Sequence, residues 1–144
     1  MVKKNLDQNI VLTEWQTCVQ MADSVSKRRD TTNNLFVTLN LALLAASPWN
    51  QSAKSLLIMA LGIILCILWG LFIWNYKKLN QAKFSVISTL EKNLPVAPFD
   101  EEWKYIKEKT KYTEGTALEM LLPAIFGAGY LIIAGVLYYG GVTL

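Results

Sequence analysis

Basic side chains that flank two long uncharged segments are the first group in this sequence that could do chemistry. Arginine presents a planar fork of donors that matches phosphate oxygens, and lysine adds positive charge beside it. If the two segments form neighbouring antiparallel helices, six such residues lie at one depth: Lys27, Arg28, Arg29, Lys77, Lys78 and Lys83. They could bind a nucleotide or an oligonucleotide, or they could anchor the chain to anionic lipid headgroups, and the sequence leaves both interpretations open.

Two asparagines form a second group. Asn33 and Asn40 are seven residues apart, so they lie on nearly one face of a helix, which Val37 and Leu44 continue. Asparagine and threonine side chains stacked around a symmetry axis would line a neutral, water-compatible lumen for ions. The same amides could instead join helices within or between subunits.

Glu119 and Pro123 form a third group, at the start of the last apolar segment. The string TALE predicts a capping box between Thr116 and Glu119. Pro123 removes the helical hydrogen bond to the carbonyl of Glu119, so we expect a kink there that could act as a gate. The small residues that follow favour close packing with another helix instead: Ala124, Gly127, Ala128, Ala134 and Gly135.

The residues needed for most enzyme chemistry are missing from the chain. There is no histidine, which removes the commonest general base and the usual zinc ligands. Cys18 and Cys66 are predicted to lie in the cytosol and inside a membrane span, so we expect neither a disulfide nor a metal pair. We therefore predict that the protein is not an enzyme and has no catalytic residues, metal site or cofactor.

The distribution of charge shows which elements must position these groups. Of the 144 residues, three long stretches carry no charge, with Lys54 between the first two: 31–53, 55–76 and 120–144. A soluble helix needs a charged or polar face, so an ordinary soluble domain is excluded. About 20 apolar residues suffice to cross a bilayer. We predict an all-α integral membrane protein with three transmembrane helices: 31–48, 55–76 and 116–141.

Basic residues predict the orientation. Thirteen lysines and arginines lie in residues 1–30 and 77–119, against one in the loop between the first two spans. The positive-inside rule then predicts an inner-membrane protein with a cytoplasmic N-terminus and an external C-terminus. We expect a cytoplasmic helix over residues 1–30 and a cytoplasmic helical region over 77–115 to form a small bundle. LPVAP at 94–98 predicts a break, followed by a short helix that Asp100 caps.

The string VSKRRDTTNNLFVTLNLALL at residues 25–44, followed by a second hydrophobic helix and KLNQAKF, resembles the SLATT-type small membrane effectors of bacterial antiviral defence systems. The resemblance covers about residues 10–95. It implies an oligomeric pore, controlled by a nucleotide or short oligonucleotide from a partner nucleotidyltransferase, whose opening depolarises an infected cell. That family has two spans on a long helical hairpin, so the third predicted span departs from its pattern.

Together these features predict a homo-oligomeric, nucleotide-gated ion channel that acts in abortive infection. Oligomerisation is required because three helices cannot enclose a water-filled lumen, and we expect a tetramer. Asn33, Val37, Asn40 and Leu44 would line the pore, and the six basic residues would bind the signal. The alternative is a non-conducting membrane anchor or accessory subunit that uses the same basic face and apolar helices to dock a partner protein.

Overall fold

The computed structural model describes residues 8–109 and 115–139, and these residues form four α-helices. The helices are α1 (Gln8–Ala46), α2 (Ala53–Glu91), α3 (Pro98–Lys109) and α4 (Gly115–Tyr139). The described ranges thus confirm the all-α fold class. Parts of three predicted segments lie outside the described residues: 1–7 of the N-terminal helix, 110–114 of the central region, and 140–141 of the last span.

Two long helices carry most of the chain. α1 and α2 each have 39 residues and continue without a break across the change from charged to uncharged sequence. Pro48 follows the end of α1, because proline disfavours helix in itself and in the residue before it. Ser52 then caps α2, since its hydroxyl accepts from the backbone N–H of Ser55 at 3.2 Å. Lys54 lies in the first turn of α2.

The start of α3 differs from the prediction. α3 begins at Pro98, a residue suited to the first helical turn, so Asp100 is not its cap. The carboxylate of Glu91, the last residue of α2, accepts instead from the backbone N–H groups of Phe99 and Asp100, each at 3.2 Å. Trp15 Nε1 of α1 donates to the same carboxylate at 3.2 Å. Glu91 therefore joins three helices.

The chain divides into two compact units. The charged unit consists of α1 up to Arg28, α2 from Tyr76, and α3, and its buried residues include Val11, Ala22, Val25 and Ile87. The membrane unit consists of Arg29–Asn75 and α4. It contains two buried clusters: Phe36, Trp69 and Ile73, and Met59, Cys66 and Tyr130.

Among the described helices, α2 and α4 are long and apolar enough to cross a membrane. Only 28% of the apolar window of α2 and 11% of that of α4 are buried, whereas a core helix of a soluble protein would be mostly buried. Two of the predicted spans, 55–76 and 116–141, fall on these helices. The span predicted at 31–48 is not confirmed, because the asparagines and threonines of α1 lower its hydropathy. It stays a prediction.

Candidate functional site

A polar network joins the three helices of the membrane unit. It consists of five side chains: Arg29, Asn33, Trp69, Thr116 and Glu119. Arg29 donates from Nε to Glu119 Oε2 at 2.7 Å and from Nη2 to Thr116 Oγ1 at 3.0 Å. Asn33 Nδ2 donates to the same Glu119 oxygen at 3.0 Å. Asn33 Oδ1 accepts from Trp69 Nε1 at 2.8 Å, so Asn33 links α1 to both α2 and α4.

The network holds a partly buried ion pair at the end of the uncharged part of α1. The side chain of Arg29 is 14% exposed and that of Glu119 is 27% exposed. Arg29 is the last basic residue before the uncharged segment, and Glu119 is the one charged residue of α4. Partly buried charges are costly unless they are paired and hydrogen-bonded, and Arg29 and Glu119 meet both conditions.

Asn40 makes a second set of polar contacts, about two helical turns beyond Asn33. Its side chain is fully buried and donates from Nδ2 to the carbonyl of Phe36 at 2.8 Å. Its Oδ1 accepts from the thiol of Cys66 at 3.4 Å, and its backbone carbonyl accepts from the hydroxyl of Tyr130 at 3.1 Å. Asn40 therefore connects all three helices of the membrane unit.

The contact between Tyr130 and α1 depends on a glycine in α2. A Cβ atom added to Gly62 would overlap the ring of Tyr130, so only glycine leaves room for that ring. The sequence did not reveal Trp69 and Tyr130 as partners of the asparagines, nor Gly62 as the residue that leaves room for Tyr130. A glycine inside an otherwise bulky apolar span was the available signal, since small residues mark close approach in membranes.

The four residues predicted to line a pore all face the interior of the protomer. Asn33 and Asn40 make the bonds described above, Val37 packs against the Phe36 cluster, and Leu44 packs against the Met59 cluster. These contacts match the alternative in which the asparagines join helices within one subunit. A place in a lumen stays a prediction and requires these contacts to open.

The six residues predicted to bind a signal divide between the two units. Arg29 belongs to the membrane unit, and two of its nitrogens are already bonded to α4. The other five belong to the charged unit: Lys27, Arg28, Lys77, Lys78 and Lys83. Lys27 pairs with Asp23 at 2.8 Å, and this hydrogen bond raises the pKa of Lys27 above its ordinary value.

Glu119 and Pro123, the predicted gate, lie in the first half of α4. Thr116 is inside the helix, which begins at Gly115, so the predicted capping box is wrong. The Glu119 carboxylate points to α1, where it accepts from the charged Arg29 and from the amide of Asn33. A hydrogen bond from a charged donor is stronger than one from a backbone N–H group. Pro123 is buried, and α4 continues through it to Tyr139. Its role as a gate stays a prediction.

The outward face of α1 in the membrane unit carries a further polar set. Thr31, Asn34 and Thr38 are exposed and recur at intervals of three and four residues, so they form a stripe along one helix face. We call these three residues the outer polar stripe. Ala45 continues the stripe, and an apolar edge runs beside it: Leu35, Leu39, Ala42 and Ala46. Sequence reasoning passed over the stripe because the seven-residue spacing of Asn33 and Asn40 was more regular.

The neighbouring spans expose no comparable polar face. Across residues 56–74 of α2 and 117–136 of α4, every exposed side chain is apolar. Examples are Leu57, 61% exposed, and Ile125 and Ile132, each 65% exposed. Among residues 31–46 of α1, 56–74 of α2 and 117–136 of α4, the outer polar stripe is therefore the surface least suited to contact hydrocarbon.

The sequence pattern of the octameric membrane protein family (8xMP) matches residues 12–139, which include most of α1 and all of α2, α3 and α4. No curated protein and no solved structure matches the chain.

Proposed function

The chain belongs to the octameric membrane protein family (8xMP), and from this premise we propose that it forms a ring of identical subunits around an ion-conducting lumen. The outer polar stripe carries this proposal. Polar groups that face hydrocarbon without partners cost several kcal/mol each, so the exposed amide of Asn34 needs water or another subunit, whereas the hydroxyl of Thr38 already donates to the Asn34 carbonyl. A ring that turns this face of α1 inward supplies water to the stripe.

The same arrangement assigns a place to each helix of the membrane unit. α2 and α4 face the lipid with their apolar side chains, and residues 31–46 of α1 cross the bilayer on the inside of the ring. A helix that is shielded from lipid tolerates asparagine and threonine, because water and neighbouring helices satisfy their polar groups. This supports a third span in spite of its lower hydropathy.

We propose eight subunits in place of the four expected from the sequence, because the family to which the chain belongs is described as octameric. Eight helices of about 10 Å diameter, placed side by side in a ring, enclose a lumen of roughly 16 Å. Such a lumen admits hydrated ions.

For orientation we propose that residues 1–30 and 77–115 lie in the cytoplasm of a cell with the ring in its inner membrane, and that the C-terminus lies outside. Thirteen lysines and arginines lie in residues 1–30 and 77–119, whereas the loop assigned to the outside carries one, and this bias supports the orientation.

Gating belongs to the charged unit in this proposal. Arg28, Lys77, Lys78 and Lys83 remain as candidates to bind a nucleotide or a short oligonucleotide, together with Lys27. We leave Arg29 out because its ion pair with Glu119 is largely buried, whereas the ion pair of Lys27 with Asp23 is exposed. The resemblance to SLATT-type effectors supports a signal from a partner nucleotidyltransferase and a role as an abortive-infection effector that depolarises the infected cell.

The direct test is to reconstitute the purified full chain in planar bilayers, with and without nucleotides and oligonucleotides, and to measure conductance. We expect discrete conductance steps, and we expect Asn34→Leu to reduce them because it removes an amide from the lumen wall. Leu39→Ala, on the apolar edge of the same helix, is the matched control. An intact ring that conducts under none of these conditions would refute the channel.

A non-conducting anchor for a partner protein is the second candidate. It is favoured by α3, which has no buried residue and exposes Trp103 and Tyr105 by 48% and 58%. Exposed aromatic side chains are frequent anchors of protein interfaces. A monomer in mild detergent that co-purifies one-to-one with a second protein would favour this candidate, whereas a closed ring of identical subunits favours the channel.

A further inference from the structure

Asp30 lies at the end of the outer polar stripe. It is exposed, it directly precedes the uncharged part of α1, and it stands four residues before Asn34 and eight before Thr38. Residues four apart lie above one another on a helix, so Asp30, Asn34 and Thr38 share one edge. Thr38 Oγ1 donates to the Asn34 carbonyl at 2.8 Å, which keeps that hydroxyl along the same edge.

Two ion pairs account for most of the other charges near this edge. The charged residues in the described membrane unit are Arg29, Asp30, Lys54 and Glu119. Arg29 and Glu119 neutralise each other through their ion pair, and Lys54 lies in the first turn of α2. Lys27, three residues before Asp30 along α1, pairs with Asp23 at 2.8 Å. Arg28, which is also exposed, is two residues from Asp30 and so lies on nearly the opposite side of α1. Asp30 is therefore the exposed carboxylate on the edge that continues into Asn34 and Thr38.

We propose that Asp30 makes the lumen selective for cations. This inference rests on the proposed channel, because one carboxylate per subunit becomes a ring of carboxylates only when the α1 faces surround an axis. Rings of aspartate or glutamate attract cations and repel anions at the mouth of a pore. The lumen estimated above has a radius of roughly 8 Å, which is about the Debye length at physiological salt, so the charges act across the whole mouth.

The test is the reversal potential of the reconstituted full chain in a KCl gradient. Wild-type channels should reverse near the potassium potential, Asp30→Asn should lower the ratio of cation to anion permeability several-fold, and Asp30→Lys should move the reversal potential toward the chloride potential. Glu102→Gln neutralises an exposed acid of α3 and should leave the ratio unchanged. Conducting Asp30→Asn channels with wild-type selectivity would overturn the inference and leave the channel itself standing.

A second measurement tests the position of Asp30 without conductance. With Cys18 and Cys66 replaced by alanine, single cysteines are placed by Asp30→Cys, Asn34→Cys and Ile64→Cys, and membranes are treated with a membrane-impermeant thiol reagent. The first two should react, and the third should not, because Ile64 faces lipid on α2. If Asp30→Cys and Asn34→Cys both stay unreacted, the stripe does not face water, and both the lumen and the role of Asp30 are lost.

Discussion

Arg29 and Glu119 show how a charged residue is held beside an apolar span. Each supplies the partner that the other needs, and Asn33 donates to the same carboxylate oxygen and ties the ion pair to Trp69. The side chains keep some exposure, so the pair is neither fully desolvated nor freely screened by water. Its main effect is to fix α4 against α1.

Removing one member of this pair should cost more than removing both. Glu119→Leu leaves the Arg29 guanidinium without its acceptor, and we expect it to lower the free energy of unfolding by about 2 kcal/mol. Arg29→Met combined with Glu119→Leu should recover part of that loss. Circular dichroism monitors unfolding in detergent of the wild type, the two single variants and the double variant, which together form a double-mutant cycle. Strictly additive losses would show that the two side chains do not interact.

Gly62 offers a sharper test, because the structure gives it a matched control. Gly62→Ala places a methyl group where the ring of Tyr130 lies, and we expect a loss of about 1–3 kcal/mol from overpacking. In Gly129→Ala, the new Cβ meets no heavy atom within 4 Å apart from its chain neighbours and the nearby backbone of α4. This variant should therefore be neutral or stabilising by up to about 1 kcal/mol. Equal melting temperatures for the two variants would contradict the close contact.

At the scale of elements, Glu91 links α1, α2 and α3 through a single buried carboxylate. It accepts from Trp15 and from the two backbone N–H groups at the start of α3, where the helix dipole also favours a negative charge. α3 buries no side chain of its own, so its position depends strongly on this carboxylate and on the hydrogen bond from Ser88 Oγ of α2 to Asp100 Oδ1 at 2.8 Å. Phe99 also makes aromatic contacts with Trp15 and Phe84.

Replacing Glu91 should therefore loosen α3 more than the rest of the chain. We expect Glu91→Ala to lose about 2 kcal/mol, because three donors lose their acceptor. Amide hydrogen exchange of α3 should become faster, while exchange in α4 stays near the wild-type rate. Lys92→Ala removes the exposed neighbouring side chain and is the control. Unchanged exchange in α3 of the Glu91 variant would show that other contacts hold the helix.

Hydropathy and charge sufficed to predict apolar spans at α2 and α4 and helices on both sides of the charge boundary in α1. They also placed Asn33 and Asn40 on one face. They could not show where that face points, because the partners Trp69, Tyr130 and Glu119 come from distant parts of the chain. The predicted cap of α3 was wrong for the same reason. Local sequence favoured Asp100, but the acceptor is Glu91, which lies on the preceding helix.

At the scale of the whole molecule, the membrane unit combines apolar outer faces on α2 and α4 with a polar outer face on α1. If residues 31–46 of α1 cross the bilayer as proposed, a single copy would expose the Asn34 amide to hydrocarbon, and the proposed ring would remove that exposure. In that proposed ring the charge of Asp30 would act through water in a wide lumen, and not through direct coordination of a dehydrated ion.

Selectivity of this kind should weaken as salt concentration rises. The Debye length is about 10 Å at 0.1 M and about 3 Å at 1 M, so the field of the Asp30 ring spans a lumen of roughly 8 Å radius only at the lower concentration. We expect the ratio of cation to anion permeability to fall several-fold between these two concentrations in the wild type, and to change little in Asp30→Asn. Reversal potentials at a fixed concentration ratio measure both. A ratio that stays constant in the wild type would instead place selectivity at a narrow site with direct ion contacts, because coordination at short range is not screened by salt.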